Sequence, residues 1–539
     1  MSMNLTDFTV NVYLWNILVG KLSWDKEANR SIFAFSDQYL ECPYDISPSR
    51  YAKNKMLRKA FYGNRAFEGL PEFLADSLPD DWGNALFDKW TTNNHIPLND
   101  MRSLMKLSFI GSRGMGAFEF RPSMESGEYN PSIDVDALYR QALNVLHDRE
   151  NVSAKESDNM TLDKLILLGT SVGGKHAKGL IAMNDQGEIR SGQIPLPEDF
   201  KYYILKFNED RNVPTCEIEK VYYNMATDAG IRMMPSRLYN VSGVNHFLTE
   251  RFDRKPGGEK VFTQSLRALS VSASDYMHLF WLCDSLQTPK GRKTDLFRQM
   301  VFNFVAGVTD DHSRNFTFMM DRTGKWDLSP AYDMMFTANV WESPSAASHC
   351  LAMWSKRSNV TLEDFVDFGK DIDIPDCRKI VKQVCGSISS FVDHCDEIGV
   401  SREWSEKLWG IIQKFIPKEF VVSNNVVNPN RMTGFHKVQE MLQSYHVPIE
   451  TIRELERNGE AILDAKISIV PNGRPLNNAY LKLYFDKQGV LFASDPNMPK
   501  MAKAFEDYLN CGLRLDLRDT YPPEDTTKHG LSKGQKQSN

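Results

Sequence analysis

The chain of 539 residues has no apolar run near the ~18 residues that a membrane-crossing helix needs, so nothing in it reads as a membrane span. Residues 1–23 lack a basic start, a sustained apolar stretch and a small-residue cleavage site, so no secretory leader is expected. Cysteine is sparse and scattered: there are eight, with no CxxC, and the closest group (Cys377, Cys385, Cys395) has a spacing that fits no zinc module. Free thiols in a cytoplasmic protein are the expectation. Positive charge is not in excess either, with 64 Lys+Arg against 70 Asp+Glu and a net charge of −6. Gripping DNA unaided takes clustered basic side chains, so a broadly basic nucleic-acid-coating protein is excluded. There is no GxxxxGKS/T string, which disfavours a P-loop NTPase, and no internal repeat of fixed period.

What is present is the mix of a soluble globular protein, 42% hydrophobic and 25% charged, long enough for three or four domains. The first part reads as β-rich. Residues 8–22 (FTVNVYLWNILVGKL) alternate apolar and polar, with Gly20 as a break, and residues 31–39 alternate again, which predicts paired strands. Residues 73–90 read as short helices broken at Pro79, and the Gly-punctuated 107–120 as tight turns between apolar runs. Helical patterns follow at 136–147 and 162–168. Residues 202–207 (YYILKF) read as a short buried strand, 216–230 as an amphipathic helix stopped by Gly230, and 246–254 as extended. From about residue 293 the chain turns helical, with Leu296, Met300, Val301, Phe304, Val305 and Val308 on one face. After Pro417 come a polar connector, a helical stretch to about Ala465, the strand-like YLKLYF, a helix near 500–509 and a polar tail from Tyr521 that reads as disordered. His246, Met233, Met234, Trp404, Trp409 and Cys283 read as packing residues.

The segment richest in chemistry is 308–333, which holds Asp310, His312, Asn315 and Asp333. An Asp, an Asn five residues on and a more distant Asp suit phosphoryl transfer. One carboxylate takes the proton of an attacking hydroxyl, and the Asn oxygen and distal carboxylate are hard ligands for Mg²⁺ on nucleotide phosphates. The same residues could equally cap loops. Upstream, Gly173 and Gly174 precede Lys175 and Lys178; a Gly pair lets backbone N–H groups approach phosphate, though an ordinary turn looks the same. Lys206 closes the YYILKF strand, where half-burying an ammonium is costly without an anion. It would neutralise phosphates with Glu219 on the next helix as its partner, or else snorkel to the surface. Gly loop, strand Lys, helical Glu, Asp-x4-Asn, then Asp is the order found in protein-kinase-like folds.

The strings SVGGKHAKGLI (171–181), HFLTERFDR (246–254), TDDHSRNF (309–316) and LSPAYDM (328–334) resemble the HipA family of bacterial toxin-antitoxin serine/threonine kinases. VNVYLWNILVGKLSW (10–24) and SLPDDWGN (77–84) resemble that family's N-terminal subdomain, so the likeness spans about residues 8–420. The resemblance implies an α+β, two-lobed protein-kinase-like fold with a β-rich N-terminal subdomain and a C-terminal extension. Its expected boundaries are 1–125 for the β-rich subdomain, 126–255 for the strand-rich lobe, 256–420 for the helical lobe, 421–520 for the extension and 521–539 for the tail.

By position, the resemblance makes Asp310 the catalytic carboxylate and places His312 and Asn315 in the same motif. Asn315 and Asp333 would bind Mg²⁺, with Tyr332 preceding the latter. Lys206 would meet ATP phosphates, Glu250 and Phe252 would belong to the hinge at adenine, and Gly173, Gly174, Lys175 and Lys178 to the flexible phosphate loop. Ser171 matches the serine that such kinases autophosphorylate. The family commonly has Gly at Asp311 and Lys at Arg314, so Asp311 would add charge beside the catalytic Asp and Arg314 would change the donor geometry. Implied partners are ATP, a protein substrate (a tRNA synthetase in the family precedent) and a helix-turn-helix antitoxin through which DNA is reached. Two other functions use the same residues: a kinase-like corepressor with catalysis dispensable, and a small-molecule kinase.

Overall fold

The computed structural model describes residues 8–55, 59–96, 101–124, 133–150, 169, 176–338 and 348–420, together with the strand segments 449–457, 460–467, 480–485 and 491–494. Its contacts divide the chain into two units, Met1–Pro417 and Lys418–Asn539.

The first unit opens on an antiparallel sheet of β1 (Val10–Leu14), β2 (Ile17–Asp25), β3 (Arg30–Phe35), β4 (Ala60–Tyr62) and β5 (Phe118–Arg121), in the order β4-β3-β2-β1-β5. Alternation drives it: Val10, Val12 and Leu14 are buried while Asn11 and Tyr13 between them are only half-buried. Trp15 and Asn16 turn the chain from β1 to β2 with φ of 50° and 66°, the left-handed geometry of a two-residue hairpin. Gly20 does not break the strand. It lies inside β2, where a Cβ would come within 2.3 Å of the Ala34 carbonyl oxygen and 2.4 Å of the Phe33 ring. Close approach of β3, not strand termination, is what requires glycine there.

A second antiparallel sheet runs β7-β6-β8-β10-β9, with β6 (Lys178–Met183), β7 (Ile189–Ser191), β8 (Lys201–Lys206), β9 (Ser236–Val241) and β10 (Val244–Glu250). The amphipathic helix Thr215–Asp228 packs on β9 and β10. The sheet shares one apolar cluster with the helices Asp81–Asn93, Arg102–Ile110 and Val135–Glu150, including Trp82, Phe87, Phe109, Tyr139, Phe207 and Leu248. Segments that precede the second sheet in sequence therefore cover it in space. His246 is a core histidine, its Nδ1 accepting the Asn208 N–H at 3.1 Å, and burial pushes it down to about 4.

The remaining part of this unit is mostly helical, with a small sheet of β11 (Phe262–Ser265), β12 (Thr317–Met320) and β13 (Trp326–Leu328). Its central helix, Gly291–Ala306, buries the predicted face: Leu296, Met300, Val301, Phe304 and Val305. It ends at Gly307 with φ 70°, and a Cβ there would press on Phe415 at 3.1 Å. Cys283 is buried as expected. Trp404 and Trp409 are only half-buried: Trp409 stacks on Phe391 with ring centres 6.3 Å apart, and Trp404 lies under the Lys407 ammonium.

The second unit contains an antiparallel meander of β14 (Ile449–Arg457), β15 (Glu460–Ile467), β16 (Tyr480–Phe485) and β17 (Leu491–Ser494). The YLKLYF strand is where it was expected. The helical stretch to Ala465 is not: β14 and β15 pair there, with Arg457 opposite Glu460. Between them the sequence reads Asn-Gly, a hairpin signal that outweighs the helix-like charge spacing of the flanks. The expected helices at 162–168 and 500–509 and the tail lie outside the described residues. Among the described residues, no helix is long and apolar enough to cross a membrane.

Candidate active site

One cleft, about 670 Å³ in volume, opens where the second sheet meets the helical part, and residues 73–81 of the N-terminal region line it as well. The end of β8 carries Lys206 into it. Lys206 Nζ lies 2.5 Å from Glu219 Oε1 on the packed helix and 2.6 Å from Asp333 Oδ1. Three residues distant in sequence thus form one charged cluster. Burial alone would lower the Lys206 ammonium, but Asp333 and Glu219 outweigh it and hold it charged. Lys206 in turn keeps Asp333 well below the usual carboxylate range, against burial. Burial leaves Glu219 above its usual value, with Lys206 opposing. Asp333 still has 39% of its side chain open to the cleft. Its backbone is left-handed (φ 56°), a conformation costing a non-glycine residue ~1 kcal/mol or more and held here by its surroundings.

Lys178 is the register partner of Lys206 across β6 and β8, and it too lines the cleft. Burial, reinforced by Lys206, pushes it down to about 8. Two ammonium groups on adjacent strands repel, and the charges of Asp333, Glu219 and Glu209 offset part of that repulsion at Lys178.

The loop after Gly307 carries the remaining groups. The Asp310 N–H donates to Thr337 Oγ1 at 3.0 Å, and the Asn315 N–H donates to the His312 carbonyl at 2.9 Å. Asn315 Nδ2 donates to the Asp310 carbonyl at 2.9 Å, so Oδ1 is its remaining acceptor. His312 lines the cleft with its Nδ1 buried and unpartnered. The Tyr332 hydroxyl donates to the Arg314 carbonyl at 2.6 Å, and its ring lies 5.6 Å from Phe252. Tyr332 lines the cleft and braces the loop with its polar end. Glu250 and Phe252 line the cleft, but the Glu250 N–H already donates to Pro235 O and the Arg251 N–H to Tyr202 O. Ser171, Gly173, Gly174 and Lys175 lie outside the described residues.

One expectation about the loop changes. Asp311 does not add charge to the cleft; it is 1% exposed and turned into the core. Arg314 lines the cleft and forms an ion pair with Asp80 of the N-terminal region. Sequence reasoning also missed that Met233 and Met234 are cleft walls, and that Glu209 lines the cleft while accepting the Ala177 N–H at 2.6 Å. SLPDDWGN was legible as a string, yet nothing in it foretold that Asp80 would reach the loop.

The donor set suits Mg²⁺ bound together with a polyphosphate. Asn315 Oδ1 and the free Asp333 oxygen are two hard oxygens, and among the described residues no three His, Cys, Asp or Glu side chains group closely enough to hold an ion alone. Mg²⁺ commonly takes one or two protein ligands and fills its shell with phosphate oxygens and water.

Residues 10–121 match the profile of the HipA N-terminal domain and residues 170–391 that of the HipA-like C-terminal domain. The serine/threonine-protein kinase toxin HipA of Shewanella oneidensis is 22% identical over 362 residues, which cover 61% of this chain and 75% of that protein. A chain of the solved Shewanella oneidensis complex of HipA, HipB and operator DNA superposes with a TM-score of 0.53 at 15% identity, covering 76% of this chain and 96% of that one. That likeness establishes the fold. With both domain profiles in order and the fold shared, the chain belongs to the HipA family.

Proposed function

We propose that the chain is a Mg·ATP-dependent serine/threonine protein kinase acting as the growth-inhibiting toxin of a toxin-antitoxin pair. The observation that carries this reading is Lys206 bridging Glu219 and Asp333 in the cleft that also holds Asp310 and Asn315. When bound, Mg²⁺ would neutralise charge developing on the phosphates, next to Asn315 and Asp333. Lys206 would release part of its hold on Asp333 to meet phosphate oxygens, and Lys178 would add a second cation. Asp310 would accept the proton of the acceptor hydroxyl. With the Glu250 and Arg251 N–H groups already engaged, the adenine donor in the hinge would be the Phe252 N–H. Ser171 remains the proposed autophosphorylation site and residues 173–175 the phosphate loop. The domain boundaries at 125 and 255 are proposed on the same basis.

A helix-turn-helix antitoxin is the partner this reading calls for, with DNA reached through it; the HipA neighbour was solved with HipB and operator DNA. Incubation with labelled ATP and Mg²⁺, comparing Asp310→Asn and Ser171→Ala, tests the reading. Transfer should vanish in the first variant, and self-labelling should fall in the second. Absence of transfer by the unaltered chain to itself and to lysate protein would refute it. Growth inhibition that survives Asp310→Asn would favour the corepressor.

A further inference from the structure

Asp311 follows the proposed catalytic carboxylate but faces the opposite way, and it gathers four donors. Its Oδ2 accepts from the Tyr276 hydroxyl at 2.5 Å and pairs with His349 Nδ1 at 2.9 Å. Its Oδ1 accepts the N–H groups of Cys350 at 2.8 Å and Leu351 at 3.3 Å. The Tyr276 hydroxyl accepts in turn from Asn303 Nδ2 at 3.0 Å, and the His349 ring stacks on Phe304 at 3.9 Å. One buried carboxylate thus ties the helix Gly291–Ala306, the start of the helix Met277–Ser285, the Asp310 loop and the strip 349–351. That strip borders the reacting position, because Cys350 Sγ lies 3.7 Å from Asp310 Oδ1.

A buried carboxylate is costly unless fully bonded, and here each oxygen has two partners, so the arrangement is rigid. Without the carboxylate, the Leu351 N–H would lose its bond and the Tyr276 hydroxyl its acceptor; among the described residues the strip would keep the Cys350 N–H on Thr309 O, the His349 N–H on Arg357 O and the Arg357 guanidinium on its carbonyls, none of which holds Leu351.

We propose that Asp311 is a positioning residue that fixes the strip 349–351 beside Asp310 and thereby sets where an acceptor hydroxyl sits. The acceptor half rests on the kinase reading; the anchoring half does not.

The test compares full-length protein with Asp311→Ala and Asp311→Asn. Three quantities are read: hydrogen exchange in peptides covering 348–353, affinity for trinitrophenyl-ATP, and steady-state transfer from ATP to dephosphorylated casein. In the alanine variant, exchange at 348–353 should quicken about tenfold and the casein KM should rise about tenfold, with nucleotide affinity and KM unchanged. Asparagine keeps an acceptor oxygen for the Cys350 and Leu351 N–H groups, so it should recover most of both effects. Unchanged exchange at 348–353 would overturn the inference. So would a fall in nucleotide affinity that tracks a lowered unfolding midpoint, since that is the mark of general destabilisation. If the unaltered protein labels neither casein nor itself, the kinase reading and the acceptor half fall together, and the exchange data still decide whether Asp311 anchors the strip.

Discussion

At the scale of single residues, the cleft is governed by two lysines that share a small set of carboxylates, Asp333 and Glu219 acting on both and Glu209 on Lys178. Lys206 has Glu219 and Asp333 as direct partners. Replacing it with methionine should cut phosphoryl transfer by at least ~100-fold, the order expected when a preorganised charge is removed from a transition state. Measuring kcat/KM for the two proteins checks this. Lys178 supplies the pH dependence. Its folded value of about 8 lies below the ordinary 10.5, so between these values the unfolded chain holds more protons and stability should rise with pH across that window. A bound polyphosphate favours the charged form. Near pH 8, therefore, nucleotide binding should take up a fraction of a proton, and affinity should weaken as pH rises further. Calorimetry in buffers of different ionisation heat reads the uptake directly. Equal binding heats across the buffers would place Lys178 away from the phosphates.

At the scale of elements, the string ERFDR proves to be a junction. Asp253 is fully buried between Arg251, at 2.8 and 2.9 Å, and Arg254, at 2.8 Å, and it accepts the Gly116 N–H at 2.7 Å. Arg254 also donates to the carbonyls of Gly114 and Gly116. Two of the glycines read as tight turns, Gly114 and Gly116, therefore also dock on the residues that follow β10. Asp253→Asn leaves two buried guanidinium groups short of a counter-charge and should cost ~3–5 kcal/mol, measured by urea unfolding. The Asp80–Arg314 pair is a second junction, and Arg314 is 35% exposed. Asp80→Ala should lower stability by less than ~1 kcal/mol, yet slow transfer by roughly tenfold by loosening the loop beside Asn315. Equal rates in both proteins would show that the pair only fastens the N-terminal region.

At the scale of the molecule, every described residue that lines the cleft lies within the unit Met1–Pro417. A chain ending at residue 420 should bind nucleotide as the full chain does, since among the described residues none beyond that point lines the cleft. Fluorescence titration with trinitrophenyl-ATP checks it, and a weakened complex would give the second unit a part in the site.

The sequence by itself determined the parts that depend on local order. Hydrophobic period marked β1, β8 and the helices Thr215–Asp228 and Gly291–Ala306, because burial of one face needs a repeat that can be read along the chain. The order of Lys206, Glu219, Asp310, Asn315 and Asp333 pointed to the cleft, because each residue type has one role that suits phosphate chemistry. Only the tertiary structure decided which way neighbouring side chains face. Asp310 and Asp311 are adjacent in sequence, yet the loop turns the first to the cleft and the second into the core, where Tyr276 and His349 wait. The Asp80–Arg314 and Asp253–Gly116 contacts span more than a hundred residues, and no periodicity encodes a contact between elements that far apart. The β14–β15 hairpin shows the same limit, since its pairing across Asn-Gly overrode a helical charge pattern that was just as legible.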